Sequence, residues 1–160
     1  MRALVAYDSA YGNTKQVAEA VGGELGSSEE VQVLHVADVQ PDYIPGLSLL
    51  VVGSPTQKFS PTSAASRFLK GIPRNGLAGV RIAAFDTRFT EGDIEKVRIL
   101  AFLVGIFGYA AGPLAKRLQK LGGELVVPPE AFYVGGTEGP LLDGELERAA
   151  DWAGQILAAP

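Results

Sequence analysis

The stretch Asp8-Ser9-Ala10-Tyr11-Gly12-Asn13-Thr14 follows an unbroken apolar run, Ala3-Leu4-Val5-Ala6-Tyr7, and precedes a segment in which Val17, Ala18, Val21 and Leu25 recur at helical spacing. It therefore reads as a turn from a buried strand, residues 2–7, into a helix running from Asn13 to Leu25 and stopped by Gly26. A turn of this composition aims several backbone N–H groups and hydroxyls at one point, at the positive end of the helix dipole. That is an anion site, and a phosphate monoester fits it. With no Lys or Arg before Lys15, the anion would be held by neutral donors. A nucleotide P-loop is excluded because the turn lacks the Gly-Lys-Ser/Thr ending. A dinucleotide loop is excluded because no G-x-G-x-x-G follows the first strand.

Outward from this turn, short apolar runs alternate with longer amphipathic segments, the pattern of repeated βαβ units and a parallel sheet. Further strands are expected at 31–36, 48–53, 80–85 and 124–134. Runs such as Leu49-Leu50-Val51-Val52 are apolar on consecutive residues, as in strands covered on both faces. A second helix should start after Ser60 as cap, with Pro61 in its first position. A third should cover 112–121 and stop at Gly122-Gly123. A fourth is expected over 142–157, with Leu146, Ala149, Ala150, Ala153 and Leu157 facing inward and Trp152 beside them in the core or at its rim. No repeat or linker interrupts the 160 residues, so one domain over 1–160 is expected.

Composition narrows the function. The 14 Lys and Arg against 18 Asp and Glu give a net charge of -4 with no basic cluster, which argues against nucleic acid. Without cysteine there can be no disulfide, iron–sulfur cluster or thiolate zinc site, and a single histidine makes metal catalysis a poor fit. The amino-terminal run breaks at Asp8 without a small-residue cleavage site, so it reads as a strand and not a signal peptide. Ile99 to Ala115 is uncharged but interrupted by glycines, and it falls short of the roughly 20 residues a membrane helix needs. A cytoplasmic protein is expected.

Ser9-x-Tyr11-Gly12-Asn13-Thr14 resembles the FMN phosphate loop of flavodoxins, T/S-x-T/S-G-N-T, and Tyr7-Asp8-Ser9 through Thr14 is closer still to the flavodoxin domain of A-type flavoproteins. The likeness continues at Gly53-Ser54-Pro55-Thr56 after the third strand, and the element order follows the family over nearly the whole chain. The resemblance implies a flavodoxin-like α/β fold: a three-layer, doubly wound, five-stranded parallel sheet in the order 2-1-3-4-5. FMN would be bound without a covalent bond at the switch point between strands one and three.

By position, the resemblance assigns Ser9, Ala10, Tyr11, Gly12, Asn13 and Thr14 to the phosphate. Pro55, Thr56, Gln57, Lys58 and Phe59 would line one side of the isoalloxazine, and Asp86, Thr87, Arg88 and Phe89, in a loop after strand four, the other. Phe59 and Phe89 are the available flanking aromatics. Tyr11 replaces a hydroxyl residue of the short-chain motif, so its contact would come through backbone N–H, with the ring packing elsewhere. Lys58 and Arg88 would favour the reduced, anionic flavin, which points to a potential less negative than in low-potential flavodoxins.

The resemblance implies an electron-transfer module that shuttles electrons between a reductase and a redox partner. The alternative is an FMN-dependent NAD(P)H:quinone oxidoreductase similar to the tryptophan-repressor-binding-protein type, which shares the tyrosine-glycine loop and the Pro-Thr second loop but is typically longer. A cofactor-free interaction domain of the same fold is a third reading. A response-regulator receiver is excluded, since it needs an acidic pair after strand one and an aspartate after strand three, where this chain has Asp8 alone and Gly53-Ser54-Pro55. The apolar 97–109 segment could serve as a flap, a surface for a redox partner, the interface of a homo-oligomer, or ordinary core. His35, read as lying within strand two and away from the strand ends, is assigned no role.

Overall fold

The structure, a computed structural model, describes residues 1–57, 60–89 and 110–160. Its strands are β1 (Ala3–Tyr7), β2 (Val31–His35), β3 (Leu49–Pro55), β4 (Arg81–Phe89), β5 (Glu124–Leu125) and β6 (Glu130–Val134). Its helices are α1 (Asn13–Leu25), α2 (Ser63–Lys70), α3 (Ala111–Lys120) and α4 (Glu145–Ala158). The strands form one sheet in the order β2-β1-β3-β4-β5, with β6 continuing the fifth position beside β4, and every pairing is parallel.

Alternate residues of each strand feed two cores. Val5, Val51, Phe85 and Phe132 face α1 and α4, meeting Val17, Val21, Trp152 and Ile156. Leu4, Leu50, Val52 and Ile82 face α2 and α3, meeting Leu69, Leu114 and Leu118. Consecutive apolar residues are thus buried because both sheet faces are covered, and each large side chain so buried contributes roughly 1.5–3 kcal/mol. Phe85, Phe132 and Trp152 pack edge to face with centroids 5.8 to 6.1 Å apart, the geometry that ring quadrupoles favour.

Several expectations are corrected. The fifth strand is not continuous over 124–134. Its register with β4 slips by two residues between the pairs Ile82–Leu125 and Phe85–Glu130, across Pro128-Pro129, which have no N–H to give a ladder. Strand three runs on to Pro55 and strand four to Phe89, so Ser54, Pro55 and Asp86 to Phe89, taken as loop residues, are strand. Gly53 is required there because a Cβ would lie 2.1 Å from the Phe85 ring. The second helix is capped by Thr62, whose hydroxyl accepts the Ala65 N–H at 3.2 Å, and not by Ser60. On α4 the inner face is Ala149, Trp152, Ala153 and Ile156, while Leu146 and Leu157 are exposed and Ala150 is half-buried.

Candidate functional site

The carboxyl ends of β1, β3 and β4 lie side by side, and a cleft of about 270 Å³ opens over them. Its first wall is the turn from β1 into α1. Gly12 takes φ +90°, a left-handed conformation that glycine alone adopts without strain, and this lets the chain reverse into the helix. The Ser9 Oγ accepts the N–H of Gly12 at 3.0 Å and that of Lys15 at 3.4 Å, closing the turn on itself. Among the described residues, no acceptor meets the backbone N–H groups of Ala10, Tyr11, Asn13 and Thr14. They stand at the positive end of a 13-residue helix with no acidic residue in its first turn.

The turn's side chains are largely engaged within the protein. The Thr14 and Thr87 hydroxyls are buried and 2.7 Å apart, joining the start of α1 to the end of β4. The Asn13 side-chain amide donates to the Glu138 carbonyl at 3.1 Å. Tyr11, whose ring was expected to pack elsewhere, instead lines the cleft and is 57% exposed.

The second wall is Pro55, Thr56 and Gln57; Lys58 and Phe59 lie outside the described residues. The Thr56 N–H donates to the Thr87 carbonyl at 2.9 Å, and the Thr56 Oγ1 accepts the Ala110 N–H at 3.1 Å, so this wall is tied to β4 and to the start of α3. The third wall is Thr87, Arg88 and Phe89, of which Phe89 is 44% exposed. Strand alternation places Asp86 and Arg88 on one face and Thr87 and Phe89 on the other.

Asp86 sits beneath the cleft and not in its lining, with no exposed surface. Its carboxylate takes Arg88 Nε at 2.7 Å and Nη2 at 2.5 Å, and it accepts the N–H of Ala111, the first residue of α3, at 2.9 Å. It supplies the negative charge that a helix N-terminus favours. Burial pushes its carboxyl above the usual range, against the downward pull of Arg88 and of the Ala111 and Ala110 N–H groups. The Arg88 charge is therefore balanced inside the protein. Among the described residues no second Lys or Arg lines the cleft, and Lys58 lies outside them.

Sequence reasoning missed a fourth wall. Val134 and Thr137, at the end of β6 and in the loop beyond it, also line the cleft. The signal was Gly135-Gly136-Thr137-Glu138-Gly139-Pro140, a turn-rich stretch at a strand's carboxyl end, where open α/β sheets place ligands. This wall is seated on a partly buried network. The Glu145 carboxylate accepts the Tyr133 N–H and Arg148 Nη2, each at 2.8 Å. Arg148 also pairs with Glu130 at 3.1 Å and lies over the Phe132 ring.

His35 was also misplaced. It is the last residue of β2, at the carboxyl end of the sheet, and its Nε2 is 2.8 Å from Asp8 Oδ1. A second groove, about 440 Å³, lies between α3 and the broken fifth strand, and Ala115, Leu125, Val126 and Val127 give it an apolar wall. The apolar 97–109 segment lies outside the described residues, and among those described no helix is long and apolar enough to cross a membrane.

A family model described as flavodoxin matches residues 5–152. Solved structures of similar fold include a flavodoxin from the domain Archaea, 24% identical with a TM-score of 0.71 over 99% of this chain and 97% of that one. Flavodoxin 1 from Bacillus cereus is 14% identical with a TM-score of 0.75 over 99% and 98%. A rubredoxin oxygen:oxidoreductase from Desulfovibrio gigas is 18% identical with a TM-score of 0.71, over 98% of this chain but 35% of that one.

Proposed function

Because the chain belongs to the flavodoxin family, whose members bind FMN, we propose that it holds FMN in the cleft over β1, β3 and β4 and carries electrons between a reductase and a redox partner in the cytoplasm. The observation that carries this reading is the start of α1. A left-handed Gly12, four N–H groups without acceptors among the described residues and an undiluted helix dipole make a cradle for a phosphate dianion. The residues present fit the group. Ser9 uses its oxygen as an acceptor within the turn and keeps its hydroxyl proton for a ligand, and the Thr14–Thr87 pair holds one proton between its oxygens and has a second to donate outward.

FMN supplies the one- and two-electron chemistry; the protein binds, orients and tunes it. Pro55, Thr56 and Gln57 on one side and Thr87, Arg88 and Phe89 on the other would flank the ring system, with Tyr11 as a further aromatic at the rim. The backbone of β3 and β4 fixes the spacing of these walls through the pairs Ser54–Asp86 and Pro55–Thr87. The described lining holds no carboxylate or imidazole, so in either the carrier or the oxidoreductase reading the redox chemistry would rest on the flavin itself.

The test is the visible spectrum of the purified protein after incubation with FMN and removal of free ligand. Flavin bands near one equivalent, with reduction by NAD(P)H only when a separate reductase is added, are expected. A colourless protein with no heat of FMN binding would overturn the cofactor assignment. Rapid NAD(P)H oxidation with a quinone and no added reductase would replace the carrier by the oxidoreductase.

A further inference from the structure

The pair formed by His35 and Asp8 belongs to none of the cleft walls, yet it sits at the entrance to the anion turn. Tyr7 and His35 are partners in the β1–β2 register, so Asp8, one residue on, leaves the sheet beside the imidazole. The ring is held on three sides. Its Nδ1 accepts the Ala37 N–H at 3.1 Å, its edge meets the Tyr7 ring at 86° with centroids 5.7 Å apart, and its Nε2 reaches Asp8 Oδ1 at 2.8 Å. An Nδ1 that accepts a backbone N–H carries no proton, so the hydrogen is on Nε2 and is donated to the carboxylate. The Asp8 backbone is fixed too, its N–H donating to the Gly53 carbonyl at 3.0 Å.

Asp8 is thus a carboxylate one residue before a turn suited to a dianion. A negative side chain there should oppose the very ligand the turn accommodates. The cleft lining nevertheless begins at Ser9 and leaves Asp8 out, because the carboxylate is drawn to the end of β2.

We propose that His35 is a positioning residue for the phosphate site: it holds the Asp8 carboxylate against β2 and out of the anion turn, and so raises affinity for the phosphate of FMN in particular. The inference rests on the FMN reading above. It differs from a scaffolding role because it acts through the charge of Asp8. Its effect should therefore appear with a phosphorylated ligand, be absent with the same ring system lacking phosphate, and vanish when Asp8 carries no charge.

The experiment titrates the wild type and the variants His35→Ala, His35→Gln, Asp8→Asn and Asp8→Asn/His35→Ala with FMN and, separately, with riboflavin, following flavin fluorescence. Urea unfolding of each variant confirms that it is folded. His35→Ala is expected to weaken FMN about tenfold, the scale of one unscreened charge at short range, with riboflavin changed less than about twofold. His35→Gln, which can present an amide N–H to Asp8, should recover most of the loss. Asp8→Asn should bind FMN at least as tightly as the wild type, and adding His35→Ala to it should cost nothing further. The proposal is overturned if FMN and riboflavin weaken together, if His35→Ala leaves FMN unchanged, or if the double variant binds no better than His35→Ala. Should His35→Ala fail to fold, Asp8→Asn and His35→Gln carry the test, and FMN binding weakened by Asp8→Asn sinks the idea. A wild type that binds neither flavin would instead strike at the FMN reading itself.

Discussion

The two ends of the cleft are built by different means. At the start of α1 most ligand-facing groups are backbone N–H, joined by the hydroxyl protons of Ser9 and the Thr14–Thr87 pair, while the Ser9 and Thr14 oxygens and the Asn13 amide brace the turn from within. At the ends of β3 and β4 the ligand-facing groups are side chains, set by strand alternation and resting on the buried Asp86–Arg88 pair. The first end should therefore respond more to changes in backbone conformation than to changes of its exposed side chains. The second should do the reverse, and part of its response should appear in the stability of the whole sheet, because Asp86 also fixes the first turn of α3.

The largest effect should come from Arg88→Leu. Among the described residues it leaves a carboxylate with no exposed surface to backbone N–H groups alone, and breaking a buried pair from one side costs about 3–5 kcal/mol. Urea unfolding at neutral pH measures this. A loss below about 1 kcal/mol, the scale of an exposed pair, would show that the ring end does not carry stability and would remove the contrast.

Next is Gly12→Val. A Cβ at Gly12 meets nothing within 4 Å, so any cost comes from holding a β-branched residue at φ +90°, roughly 1–3 kcal/mol. FMN affinity should fall by about tenfold or more as the turn relaxes. Ala10→Ser, an exposed change in the same turn, should leave it nearly unchanged. Equal losses from the two would mean that side-chain identity matters at this end as well.

The same contrast explains what was legible in the sequence. The anion turn could be read because glycine, helix start and strand end are local features that leave a pattern over seven consecutive residues, and α1 falls where its apolar spacing put it, Asn13 to Leu25. Two-sided burial followed from consecutive apolar runs, whereas the strand order came only from the resemblance carried by the two loops. The ring end was harder, because the lengths of β3 and β4 depend on pairing with distant residues. Asp86 looks like a loop residue until β6 is laid beside it, with Asp86 opposite Ala131 and Phe89 opposite Val134. The break in the fifth strand and the Val134–Thr137 wall were hidden for the same reason, and Leu146 and Leu157 misled because helical spacing alone could not fix which stripe of α4 meets α1. His35 was misread by a single residue at a strand boundary: inside the end of the expected strand 31–36, it is the end of β2 itself.

The two ends meet at the hydroxyl pair Thr14–Thr87. Replacing either with Val should cost about 1 kcal/mol, the ordinary net value of such a bond. The double variant should cost less than the sum of the two, with a coupling of at least about 0.5 kcal/mol. Strict additivity in urea unfolding would mean that the turn and β4 are held in place independently.

The smallest effect concerns pH and tests whether the ring end's buried pair is a stabilising contact or a tolerated one. Burial raises the Asp86 carboxyl above the ordinary aspartate value of 3.8, so between that value and the folded one the native state binds more protons than the unfolded chain. The contribution of Asp86 to stability is then greatest below pH 3.8, declines as pH rises through the folded value, and is flat above it. Asp86→Asn keeps an acceptor for Ala111 but cannot titrate, so the stability of the wild type relative to this variant should decline as pH rises from about 3 and then level off. The opposite slope, the wild type gaining on the variant with rising pH, would place the folded carboxyl below 3.8. Arg88 and the α3 dipole would then outweigh desolvation, and Asp86–Arg88 would be a net source of stability at neutral pH. Arg88→Leu would still be costly in either case, since it removes one partner and leaves the other buried; only the pH slope separates a pair that stabilises the sheet from one whose members each make the other's burial bearable.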